Sequence, residues 1–140
     1  MITLDEYRAP IFVMFCQGAL DNFLAETHGV ITALVATPDG FSIACASKDD
    51  KTSVDNLSAV GSTLFSLGSS VASQLNQGLC NSVTIDNEKG KVYISSVTDG
   101  SKDRSLILFI QTTQQAMLAH ILHGSRKLSE NLAKRLITLG

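Results

Sequence analysis

The sequence predicts an α+β fold with the element order α-β-β-α-β-β-β-α and a five-stranded antiparallel sheet. Three observations carry this. VITALVATPDGFSIACAS alternates on both sides of a Pro-Asp-Gly turn. Three further strand-like runs, LCNSVTID, KVYISSVTD and RSLILFIQ, are separated only by NEKG and DGSKD. Three other stretches repeat apolar residues at helical spacing. Short turns join antiparallel neighbours, because a parallel pair needs a long crossover.

The first helix opens at Pro10, which suits a first turn, and is capped by Gly29. Phe12, Phe15, Ala19 and Phe23 form one face, widened by Leu20 and Leu24. Ile11–Phe15 is apolar all round, so a second surface is expected to cover it. Strands are expected near 30–37 and 41–47; proline presets φ in their turn and glycine accepts positive φ. Thr52 or Ser53 caps the next helix, with Asp55 in its first turn and Gly78 at its end. Leu57, Val60, Leu64, Leu67, Val71 and Leu75 give that helix a stripe to set against a core. From Leu106 to Ile110 both faces of the strand are apolar, which places it mid-sheet. Thr112 and Gln115 form a capping-box pattern before the last helix. Its apolar face is Leu118, Ile121, Leu122, Leu128, Leu132 and Leu136, opposite the charge ladder Arg126, Glu130 and Lys134.

One domain spanning residues 1–140 is expected, with an N-terminal extension over roughly 1–10. The chain is 44% apolar with a net charge of −2, which argues against disorder and against a nucleic-acid footprint. Residues 1–50 hold two basic and seven acidic residues, and residues 101–140 hold six and two. That asymmetry either draws the ends together or reflects solvated faces of drifting sign. MITLDEYRAP lacks the basic flank of a signal peptide, and no apolar run is long enough to insert in a membrane. Cys16, Cys45 and Cys80 make neither a disulfide framework nor a zinc pattern, and the expected compartment is the cytoplasm.

No catalytic signature appears. GSTLFSLGSS lacks the GK[ST] of a phosphate loop. His120 and His123 share a helix face without further ligands, so no metal is expected. Asp39 reads as a turn residue, and Asp49-Asp50 as a solvated loop pair. Neither catalytic residues nor a cofactor are expected.

The anomaly is Asn56–Ile85, thirty residues without one ionisable Asp, Glu, Lys, Arg or His. A solvent-facing helix normally carries charge. About 100° from the apolar stripe lies a second face of Gly61, Phe65, Gly68 and Ala72, with Ser69 beside it. Small residues admit a close neighbour, and an uncharged patch with an aromatic suits the core of a protein interface. The strand after it, Cys80, Asn81, Ser82, Val83, Thr84 and Ile85, lacks edge protection. Together these residues are the expected homodimer interface.

GVITALVATPDGFSIACAS, NLSAVGSTLFSLGSSVASQL, NSVTIDNEKGKVYISSV, SLILFI and the final amphipathic helix resemble the roadblock family of dynein light-chain-like and GTPase-regulating domains. The resemblance spans roughly residues 12–136. It implies a profilin-like sheet with the middle helix on one face and the other two on the opposite face. It also implies dimers whose middle helices pack together and whose following strands join into one sheet. Family members commonly bind Ras-like GTPases or serve as adaptors in motor complexes, and in bacteria often act in polarity or motility. The expected function is therefore a non-enzymatic homodimeric adaptor that regulates a Ras-like small GTPase. The alternatives are a small-molecule sensor or a purely structural adaptor of the same fold.

Overall fold

The computed structural model describes residues 2–98 and 104–139. Its elements are α1 (Leu4–Tyr7), α2 (Pro10–Glu26), β1 (Val30–Ala36), β2 (Ser42–Ser47), α3 (Val54–Gln74), β3 (Ser82–Asn87), β4 (Gly90–Thr98), β5 (Ser105–Thr113) and α4 (Leu118–Ile137). The five strands form one antiparallel sheet in the order β2-β1-β5-β4-β3. The expected DGSKD turn falls in 99–103, outside the described residues.

β5 is central, and its side chains supply both layers. Leu106, Leu108 and Ile110 join the core under α2 and α4, with Leu20, Phe23, Leu128 and Leu132. Ile107 and Phe109 join Leu34, Ala36 and Ile94 under α3. The period-two alternation of a strand therefore builds two cores from one segment.

The β1–β2 turn closes as its residues dictate. Thr37 N–H donates to the Phe41 carbonyl at 2.8 Å, and Phe41 N–H donates to Thr37 Oγ1 at 3.0 Å. Gly40 carries the positive φ of 97° that the turn needs.

The N-terminal residues are part of the packing. Thr3 and Glu6 form a capping box around α1, and Tyr7 is buried with its hydroxyl donating to the Ser105 carbonyl at 3.0 Å. Arg8 donates to the Ser42 carbonyl from Nε and Nη2 at 3.2 and 3.0 Å. These bonds tie the segment to β5 and β2. The surface expected over Ile11–Phe15 is only partly present: Phe12 is buried, but Ile11 and Met14 are exposed.

Two expected side-chain caps do not form, although Ser53 holds the N-cap position of α3. β5 continues through Thr112, which pairs with Val30 and Lys91, so it starts no helix. α4 begins after Met117, and α3 after Ser53, without a side-chain cap in either case. α3 also ends at Gln74, before Asn76 and Gly78 turn the chain at positive φ.

Cys16 is fully buried on α2, and burial pushes its thiol from 9.0 up to about 12. A raised folded-state pKa on an acid means that this group's stabilising contribution is complete below pH 9.0 and is lost as pH rises towards 12. We expect Cys16 to be inert to a thiol-specific disulfide reagent at pH 8 until denaturant is added. Cys16→Ser should leave the amplitude of the native-state reaction unchanged. A loss of that amplitude in Cys16→Ser would show that the α2 core opens readily.

Candidate functional site

α3 lies across the sheet face formed by β1, β5 and β4, and its orientation is the decisive geometry. Ser58, Gly61 and Ser62 are its buried residues. A Cβ added to Gly61 would stand 3.0 Å from Phe109 Cδ2, and one added to Gly68 would stand 2.5 Å from Val83 Cγ2. Phe65 packs with Leu34, Ala36, Ile94, Ile107 and Phe109. The small-residue face therefore meets the sheet. This corrects the expectation that Gly61, Phe65 and Gly68 point outward; Ala72 is half-buried. The bulk at this contact comes from Phe109, so the helix complements it with glycine.

The serines on the inward side are satisfied locally. Ser62 Oγ donates to the Thr37 carbonyl at 3.0 Å, and Ser58 Oγ to the Val54 carbonyl at 2.8 Å. A polar residue is tolerated in a packed interface when its hydroxyl is bonded.

Of the stripe expected in the core, Leu57 and Leu64 do pack against it, and the rest is left outside. Val60, Leu67 and Val71 are 51%, 58% and 56% exposed, and Leu75 and Leu79 beyond them are exposed as well. Leu57 and Leu64 sit half-buried at its margin. The outer side of α3 is thus apolar and uncharged, flanked by exposed Thr63, Ser66, Ser70 and Gln74.

β3 lies beside α3 at the sheet edge. Val83 and Ile85 pair with Ile94 and Val92. Val83 packs under α3, while Asn81 and Thr84 are exposed and Cys80, Ser82 and Ile85 are half-buried. The outer side of β3 meets no further strand among the described residues. The helix stripe and the strand edge are thus neighbouring unpartnered surfaces, one apolar and one built from backbone polar groups.

Among the described residues, no group of three His, Cys, Asp or Glu side chains could hold a metal ion. No helix among them is long and apolar enough to cross a membrane.

Residues 17–102 match the model of the Roadblock/LC7 domain. The chain belongs to the Roadblock/LC7 domain family. The matched span runs from α2 through β4 and contains the whole of α3 and β3. Among solved structures, the Roadblock/LC7 domain from Streptomyces avermitilis is 20% identical with a TM-score of 0.76, covering 86% of this chain and 97% of that one. MglB from Myxococcus xanthus is 13% identical with a TM-score of 0.81, covering 99% and 94%. The gliding protein mglB from Thermus thermophilus is 17% identical with a TM-score of 0.75, covering 96% and 93%. Likeness at these identities is likeness of fold. No curated protein sequence matches this chain.

Proposed function

We propose that this Roadblock/LC7 domain is a non-enzymatic, cytoplasmic homodimeric adaptor that binds and regulates a Ras-like small GTPase. The observation that carries this reading is the uncharged apolar outer face of α3 beside the open edge of β3. A twofold axis through this region would set each α3 against its mate and pair β3 with β3, so one surface serves both subunits. Val60, Leu67 and Val71 then replace the expected small residues at the helix contact, while the expected strand segment Cys80–Ile85 is retained. The GTPase part of the reading rests on family membership.

The test is a pulldown from the source cell extract, with and without added guanine nucleotide. A Ras-like GTPase retained in a nucleotide-dependent manner is the expected result. Its absence under both conditions would leave the structural-adaptor alternative in its place.

Regulation of hydrolysis is expected to act by ordering the GTPase's own switch residues, without a donated arginine. Arg8 is held on the Ser42 carbonyl, Arg104 Nη1 donates to the Ile137 carbonyl at 2.7 Å, and Arg135 lies over the Phe15 ring at 4.7 Å. Arg126 is exposed on α4. Alanine at each of these four should leave any stimulated hydrolysis rate within about tenfold, or about 1.4 kcal/mol of barrier. A loss of roughly a thousandfold at one position is the scale of an arginine finger and would assign it that role.

A further inference from the structure

On the opposite side of the sheet from α3, α2 and α4 run antiparallel. Arg135 meets Phe15 near one end, and Gly124 packs on Phe23 near the other. Between them lies a groove of ≈ 890 Å³. Its apolar lining comes from Met14, Phe15 and Ala19 over a buried floor of Phe23 and Leu128, and its charged lining from Lys127, Lys134 and Arg135 against the single carboxylate of Glu26. The three cations lie on α4, outside residues 17–102 matched by the family model.

Gly18 lines the middle of the groove, is exposed, and has nothing within 4 Å of where a Cβ would be. Glycine weakens a helix interior. Gly124 has a reason within the chain, since its Cβ would press on Phe23 at 3.0 Å. Gly18 has none, and what it permits is close approach from outside. One turn before Phe15, Ile11 is 75% exposed and extends the apolar strip past the groove's end from Met14, a lining residue 73% exposed.

We propose that this groove docks an amphipathic helix of a partner protein, apolar towards Met14, Phe15 and Ala19 and acidic along the flank beside Lys127, Lys134 and Arg135. Ile11, Phe15 and Gly18 follow at spacings of four and three along α2, so they share one face for a docked helix. The single-sided basic rim sets its charge and orientation. A trough between two helices fits a third helix better than a flat bilayer. The site is independent of the α3 dimer.

The test uses the full chain and two fluorescein-labelled synthetic helical peptides of about 16 residues with leucine at i, i+4, i+7 and i+11. One carries glutamate on a single flank; the other carries lysine at the same positions. Fluorescence anisotropy should show saturable, salt-sensitive binding of the acidic peptide, at least about tenfold tighter than the basic one. The double variant Lys127→Glu, Lys134→Glu should reverse that preference. Gly18→Phe should plug the groove and abolish binding with the circular dichroism melt unchanged or raised. Val71→Glu, on the other face, should leave peptide binding unchanged even if it disrupts the dimer. The proposal is overturned if the acidic peptide does not saturate, or if neither groove variant alters its binding. It is equally overturned if the chain shows no peptide preference but binds phosphatidylserine vesicles through the same lysines, which would assign the face to a membrane.

Discussion

Val71→Glu is expected to turn the dimer into a folded monomer. The side chain is more than half exposed on the outer stripe of α3, so the subunit loses little core packing. In the proposed dimer the same position faces its mate, and the substitution strips two like charges of water near the twofold axis. Uncompensated buried charge costs about 3–5 kcal/mol, or roughly two to four decades in Kd. Gly68→Glu should behave differently. Its Cβ would press on Val83 and on Cys80 Sγ, the latter at 3.3 Å, so the larger side chain lifts α3 from the sheet and the fold itself is lost. Sedimentation with circular dichroism on both variants separates the two faces. A wild-type monomer at tens of micromolar, or an intact Val71→Glu dimer, would remove the α3 stripe from the interface. Either result would leave the acidic-helix groove on α2 and α4 untouched.

The contrast between these two substitutions also shows what the sequence conceals. The strands were legible because alternation and turn chemistry are local properties. Pro38, Asp39 and Gly40 announce the first hairpin, and the two-sided apolarity of Leu106–Ile110 announces a central strand. The inward face of α3 was not legible. Both candidate faces lack charge, so polarity offers no guide, and the usual rule that large residues point inward then selects the wrong stripe. Burial there is decided by complementarity to Phe109, a residue more than thirty positions away, whose register opposite Gly61 exists only in the folded sheet. Capping patterns misled in both directions. Thr112 and Gln115 match a capping box, but pairing with β1 and β4 keeps Thr112 in the strand. Thr3 and Glu6 form a real capping box on α1, a signal present in the sequence within residues assigned to an extension. The groove between α2 and α4 carries no local motif at all, because it depends on how two distant helices settle side by side.

Phe109→Ala is expected to be the most damaging truncation in the contact between α3 and the sheet, because the ring holds α3 at its working height above the sheet. Phe109 is 4% exposed and packs in one cluster with Leu34, Ile94, Leu64 and Phe65. Truncating a buried phenylalanine costs about 3–5 kcal/mol, against about 5–15 kcal/mol for a whole domain. Directly above the ring, Gly61 offers no side chain to collapse into the cavity. In urea the unfolding midpoint should fall with the slope unchanged, as a loss of stability without a change in exposed area requires. Gly61→Ala supplies the companion measurement. Alone, its Cβ would stand 3.0 Å from the Phe109 ring, and this crowding offsets the gain of up to about 1 kcal/mol in helix propensity. With Phe109→Ala the crowding vanishes and the methyl enters the vacated space. The double variant should therefore be more stable than the sum of the single effects by about 1 kcal/mol. Strict additivity across the four proteins would mean that α3 does not rest on Phe109, and that its outer stripe is positioned by some other contact.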